Sequence, residues 1–153
     1  MSCLSCQSIS GAKRISPGPV IFQGNFWTVD HAYPTKLVGW LVVVLNRHVE
    51  SLHELTAEEV LELNRLQSTA LKCIAAELQP EKEYIACFSE QEQFKHIHFH
   101  VIAKPKDLPA EFVGSKIFGM LKFGENETPP TEKIIELCHK LKERWAEIDS
   151  KKP

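Results

Sequence analysis

Apolar and polar residues alternate most sharply at His96-Ile97-His98-Phe99-His100-Val101-Ile102. Successive side chains of a strand point to opposite faces, so His96, His98 and His100 share one face and Ile97, Phe99 and Val101 pack inward from the other. The strand is predicted to run to about Lys104. Residues 39–45, Gly-Trp-Leu-Val-Val-Val-Leu, are apolar almost throughout and predict a strand buried on both faces. Residues 20–22 and 26–30 read as a short hairpin joined by Gln23-Gly24-Asn25, and residues 84–89 as a further strand. Elsewhere the period becomes helical. Thr56-Ala57-Glu58-Glu59 is a capping box, and Val60, Leu63, Leu66, Ala70, Cys73, Ile74 and Leu78 follow on one stripe up to Pro80. This predicts a helix over 57–79 whose stripe lies across the sheet. Ile134, Cys138, Leu141, Trp145 and Ile148 mark a last amphipathic helix, with His139 off its stripe. Pro105, Pro109 and Thr128-Pro129-Pro130-Thr131 interrupt the stretch before it, which carries no periodic signal and suggests no function.

The bulk numbers narrow the function classes. A chain of 153 residues, 43% hydrophobic and 25% charged, is long enough for one domain with a real core. A formal charge of −2 provides no general attraction to nucleic acid or to an anionic membrane. An anionic substrate would be met locally, and Lys95, Lys104 and Lys106 flank the histidine run. The longest apolar run, residues 40–45, falls far short of the ~20 residues of a membrane span. The first eleven residues lack the apolar core of a secretory signal. Five cysteines, an odd number, do not suggest a disulfide framework, so a reducing cytoplasm is expected.

Three histidines on one strand face read as a solvated face, as a metal site, or as a nucleophilic imidazole with tuning neighbours. Crowding them disfavours protonating all three, most of all the middle one, flanked on both sides. Cys3 and Cys6 form a Cys-x-x-Cys pair that is redox-active, half of a metal site, or incidental. Redox pairs usually follow a strand at a helix N-terminus, and only Met1 and Ser2 precede this one.

The run His96 to Ile102 resembles the motif of the histidine triad (HIT) family, His-φ-His-φ-His-φ-φ with φ hydrophobic, at every position. The resemblance covers residues 3–105. It implies an α+β fold, an antiparallel sheet with one long helix packed across it and a C-terminal helix. The whole of 1–153 would form a single domain, with an N-terminal segment over 1–19 and a C-terminal extension over 106–153. It implies hydrolysis of a nucleotide ester, anhydride or phosphoramidate, of the diadenosine polyphosphate or adenosine phosphoramidate type. His98 would attack the α-phosphorus and carry the nucleotidyl group. His100 would bond a nonbridging oxygen or orient His98, and His96 would complete the triad. Zinc-bearing relatives imply a structural zinc on Cys3, Cys6, His48 and His96; no organic cofactor is expected. Asp30 would bond the ribose, and Ser89 and Gln93 are the available polar contacts for substrate. A homodimer is implied. Nucleotidyl transfer to a second substrate, or a non-catalytic nucleotide- or zinc-binding adaptor, are the alternatives. The chain departs from the family in two places. Trp40 stands where many members have another histidine, as an aromatic wall or as core, and the loop at 90–93 lacks the usual asparagine and serine or threonine.

Overall fold

The computed structural model describes residues 3–153. Its strands are β1 (Phe22–Gln23), β2 (Trp27–His31), β3 (Trp40–Leu45), β4 (Lys82–Ala86) and β5 (His98–Lys104), and its α-helices are α1 (Leu4–Ile9), α2 (Ala57–Leu78) and α3 (Thr131–Ser150). The strands form one antiparallel sheet in the order β1-β2-β3-β5-β4. This is the α+β arrangement the motif implies. Among the described residues no helix is long and apolar enough to cross a membrane.

The alternation in β5 does what period two requires. Phe99, Val101 and Ala103 join Trp27, Val29, Leu41, Val43 and Leu45 on the face covered by α2 and α3. On the other face Trp40 and Ile102 pack with Leu37, Leu108 and Ile117 in a second apolar cluster. That cluster is built partly from the stretch without periodic signal, which forms short 3₁₀ turns, Ala110–Phe112 and Gly114–Leu121. Residues 42 and 44 are only half-buried, so β3 is not closed on both faces as its composition suggests. Its second face opens into a cavity.

Helix α2 begins with the predicted capping box, in which Thr56 accepts from the Glu59 N–H and Glu59 from the Thr56 N–H. It ends one residue earlier than expected, because Gln79 turns into the left-handed region as its C-cap. Val60 is 40% exposed and leaves the predicted stripe. At that level the buried positions belong to two carboxylates, Glu59 and Glu62. Glu62 accepts from the backbone N–H groups of Asn25, Phe26 and Trp27 at 2.9, 2.6 and 3.0 Å, and so closes the β1–β2 turn. A Cβ on Gly24 would come within 2.8 Å of the same carboxylate, which is why the turn carries glycine. Both hairpin strands begin later than predicted; β1 is also one residue shorter, whereas β2 keeps its length and shifts by one residue. Likewise β4 stops at Ala86 rather than residue 89, and Ser89 adopts a positive φ of 47° as the chain leaves the sheet.

His31 ends β2 in the interior, where its Nδ1 donates to the Ala32 carbonyl at 2.7 Å. Its Nε2 accepts from the Gly39 and Trp40 N–H groups at 3.0 and 3.3 Å, fastening the entry to β3. Burial pushes its pKa down to about 4.

Two measurements test these supports. Glu62→Ala leaves three backbone donors without their acceptor and should cost about 3 kcal/mol or more in urea unfolding; a loss below 1 kcal/mol would remove Glu62 from this role. For His31, the folded chain holds the ring neutral and the unfolded chain ionises it near 6.5. Its contribution is therefore present above 6.5 and is lost as pH falls towards about 4. Unfolding free energies measured between pH 7.5 and 4.5 should fall accordingly, and less steeply in His31→Gln.

Candidate active site

A cavity of about 620 Å³ opens on the face of the sheet that α2 and α3 leave uncovered. Its floor follows from strand register. Thr28, Val44 and His98 lie side by side across β2, β3 and β5, and Asp30, Val42 and His100 form the parallel row. The walls come from outside the sheet: Ser5 and Ser8 of α1, Arg14, Phe88 and Gln91, and Phe118 of the 3₁₀ segment.

The three histidines diverge in role. His98 Nδ1 lies 2.7 Å from the His96 carbonyl, which places the ring proton on Nδ1 and leaves Nε2 with its lone pair. The Ser89 hydroxyl accepts from the His98 N–H at 3.2 Å and sits 3.3 Å from its Nδ1. Burial lowers the His98 pKa, keeping the ring neutral. His100 is fixed in the opposite tautomer. The Trp40 indole donates to its Nδ1 at 2.9 Å, and an indole nitrogen only donates, so the His100 proton sits on Nε2. Burial, then the proximity of His98, pushes the His100 pKa down to about 3. Trp40 is thus both fully buried and a polar partner of the triad, where either an aromatic wall or plain core is the reading from sequence. Phe118 packs edge-on against Trp40 and His100 with ring centres 5.2 and 4.9 Å away. The C-terminal third, without assigned role in the sequence, therefore packs against His100 through Phe118.

His96 lies at a bend before β5, and its ring turns away from the cavity. It stacks edge-on with His48 at 5.0 Å, whereas His98 meets His100 at 4.9 Å. His98 thus has one close imidazole neighbour rather than the two that even spacing suggests, and burial is the larger cause of its neutrality.

The turn of His96 builds a second centre. Cys3 is the N-cap of α1 and Cys6 lies in its first turn, so the pair is held on a helix whose Leu4 N–H bonds the Gln93 carbonyl. His96 Nδ1 is 3.5 and 3.3 Å from the sulfurs of Cys3 and Cys6, and His48 Nδ1 is 3.4 Å from Cys6. All four ligand atoms lie within 4.8 Å of one another. Zinc bonds of ~2.3 Å to sulfur and ~2.0 Å to nitrogen at a tetrahedral angle give sulfur–nitrogen edges of about 3.5 Å. The far ring nitrogens are anchored as ligand imidazoles require: His96 Nε2 at 2.7 Å from the Leu45 carbonyl, His48 Nε2 at 3.2 Å from Glu50. Burial and the adjoining Cys3 push the bare Cys6 thiol up to about 11, and a divalent cation reverses that penalty by binding the thiolate. The donor set and spacing fit zinc.

The remaining site residues divide. Ser89 and Asp30 line the cavity. Gln93 does not: it is exposed, and Gln91 from the same turn lines the wall instead. Asp30 is buried against Arg14, which meets its two oxygens at 2.5 and 3.0 Å. Burial raises the Asp30 pKa against the lowering pull of that guanidinium. The Arg14–Asp30 pair and the bond from Trp40 to His100 are the contacts of the site that sequence patterning misses. Each joins residues distant in the chain, and no local period announces such a bond.

Against known proteins, the family described as "Scavenger mRNA decapping enzyme C-term binding" matches residues 2–115. No curated protein matches the sequence. Among solved structures, a histidine triad nucleotide-binding protein from Sulfolobus tokodaii superimposes with a TM-score of 0.72 at 16% identity, over 96% of this chain and 94% of that one. A zinc-bound histidine triad protein from Mycobacterium smegmatis gives 0.69 at 18% identity, over 99% of both chains. Diadenosine triphosphate hydrolase from Plasmodium falciparum gives 0.58 at 13% identity, over 86% and 77%. At such identities the likeness is one of fold. With the family match over residues 2–115 and the intact triad, the chain belongs to the histidine triad superfamily, in the family of the scavenger mRNA decapping enzyme C-terminal region.

Proposed function

We propose that the protein hydrolyses a nucleotide ester, anhydride or phosphoramidate through a nucleotidyl group carried on His98. The observation that carries this reading is the bond between His98 Nδ1 and the His96 carbonyl, which leaves Nε2 unprotonated in a ring that burial keeps neutral. In the first step Nε2 bonds the α-phosphorus and the bond from phosphorus to the leaving group breaks, the leaving group departing with the electron pair. In the second, water bonds phosphorus, the nitrogen–phosphorus bond breaks, and the mononucleotide is released. His100 offers its Nε2–H to a nonbridging oxygen in both steps, while Trp40 holds the opposite nitrogen. The diadenosine triphosphate hydrolase among the structural neighbours supports a dinucleotide polyphosphate as the first substrate to try. Adenosine phosphoramidate is the second. Adding inorganic phosphate to the assay separates hydrolysis from nucleotidyl transfer, since a transferase would yield the phosphorolysis product.

Zinc on Cys3, Cys6, His48 and His96 completes the proposal as a structural group. Bound there, it would tie α1 and the strand β3 exit to the start of the triad. The zinc-bound relative supports this assignment. A homodimer is part of the same reading, supported by Ile85 and Phe88, which are 46% and 55% exposed on and beside the edge strand β4.

Two experiments decide these points. Acid-quenched mass spectrometry after mixing with a slow substrate should find the nucleotidyl adduct on His98, and His98→Ala should lose turnover by several orders of magnitude, on the order of 10⁴-fold or more. An adduct on His100, or normal turnover in His98→Ala, would overturn the assignment. Metal analysis of protein purified without chelator should find close to one zinc per chain, and Cys6→Ser should lose both the metal and thermal stability. Metal-free protein of equal stability would remove the zinc.

A further inference from the structure

The ladder between β4 and β5 stops short of His98. Ala86 pairs with His100, and the same register carried further would set Phe88 opposite His98. Instead β4 ends at Ala86, and Phe88 turns to the cavity wall with its ring 5.1 Å from that of Phe118. The preceding residue, Ile97, is served from the other side. Its N–H donates to the Val49 carbonyl at 2.8 Å and its carbonyl accepts from the Leu45 N–H at 3.2 Å. Peptide groups alternate in direction along a strand, so those of His98 face the gap that β4 leaves.

One hydroxyl fills that gap. Ser89 Oγ accepts from the His98 N–H at 3.2 Å and donates to the His98 carbonyl at 3.4 Å, the two bonds a strand residue would have made through its own peptide. The same oxygen lies 3.3 Å from His98 Nδ1, whose proton it faces beside the His96 carbonyl. A hydroxyl has one proton and two lone pairs, so its whole capacity is spent on His98. The Cys87 sulfur, 3.6 Å from the hydroxyl, is only a weak partner for it. To reach this place Ser89 takes a φ of 47°, which a residue with a Cβ adopts at a cost and keeps where its surroundings fix it.

We infer that Ser89 is a positioning residue for His98 rather than a contact for substrate. Its hydroxyl replaces the strand residue that β4 does not supply, and so holds the peptide and ring of His98 where the sheet parts to open the cavity. The consequence for structure rests on these hydrogen bonds alone; the consequence for rate rests on the nucleotidyl-His98 reading above.

Two substitutions separate the hydroxyl from the strained backbone. Ser89→Ala removes the hydroxyl and keeps a Cβ in the left-handed region, whereas Ser89→Gly removes both. Amide hydrogen exchange followed by NMR, on protein purified without chelator, should show the His98 N–H exchanging on the order of tenfold faster in both variants. The His100 N–H, inside the ladder with Ala86, should be unchanged. Single-turnover mixing with diadenosine triphosphate and with adenosine phosphoramidate should show nucleotidylation of His98 slowed on the order of tenfold to a hundredfold in both variants. Affinity for AMP and KM should stay within about twofold, since no contact to the ligand is lost. Ser89→Gly should melt above Ser89→Ala, so that an equal loss of rate in the two assigns the loss to the hydroxyl and not to stability. Unchanged exchange at His98, weakened AMP binding with the rate of nucleotidylation intact, or a native rate in Ser89→Gly would each overturn the inference. A native protein that turns over neither substrate overturns the nucleotidyl reading and the effect on rate with it, while exchange at His98 still decides where the hydroxyl acts. Should Ser89→Ala fail to fold, Ser89→Gly, with no Cβ to strain at this φ, carries the comparison with the native protein.

Discussion

One residue joins the parts of this molecule, and it does so through three separate atoms. His96 offers its Nε2 to the Leu45 carbonyl, its Nδ1 to the cysteine pair, and its own carbonyl to His98 Nδ1. The end of β3, the N-terminal helix and the ring proton of the neighbouring histidine are thereby set by a single buried side chain and its peptide. Its position before β5, at a bend rather than in the ladder, makes this possible. In regular strand geometry the ring would face the cavity beside His98, and the metal ligands on α1 would have no partner on the sheet.

The tautomers of His98 and His100 are complementary for the same kind of reason. Each ring has one nitrogen occupied by a group with fixed polarity, a carbonyl that only accepts or an indole that only donates. The free nitrogen of one is therefore a lone pair and that of the other a proton. Burial lowers the pKa of both rings and so favours their neutral forms, in which this polarity exists. Trp40 supplies the donor from a fully buried position, and Phe118 seals the same corner against water.

Much of this was legible in the sequence where the signal is short-range. Period two gave the faces of β5, the capping box and stripe gave α2, and the family resemblance pointed to the cluster of Cys3, Cys6, His48 and His96. Other features depend on which distant residues meet. Trp40 reads as core or wall because its partner is 60 positions away, and Arg14 carries no signal in the sequence because its partner Asp30 lies beyond a turn. Gln93 was expected in the site from its place in the loop, yet that loop docks on α1 through the Gln93 carbonyl and turns the side chain out. Val60 followed the helical period but lies where two buried carboxylates replace the apolar stripe.

Under the proposed function, the cavity separates reacting groups from those that line the rest of the site. His98 and His100 stand on a floor whose geometry is imposed by strand pairing, while Arg14, Phe88 and Phe118 belong to segments that only rest against the sheet. Residues in those segments can change without disturbing a ladder hydrogen bond. Under the proposed function this architecture would let substrate preference drift under mutation while the chemistry stays constant, a division of labour that leaves one scaffold open to many leaving groups.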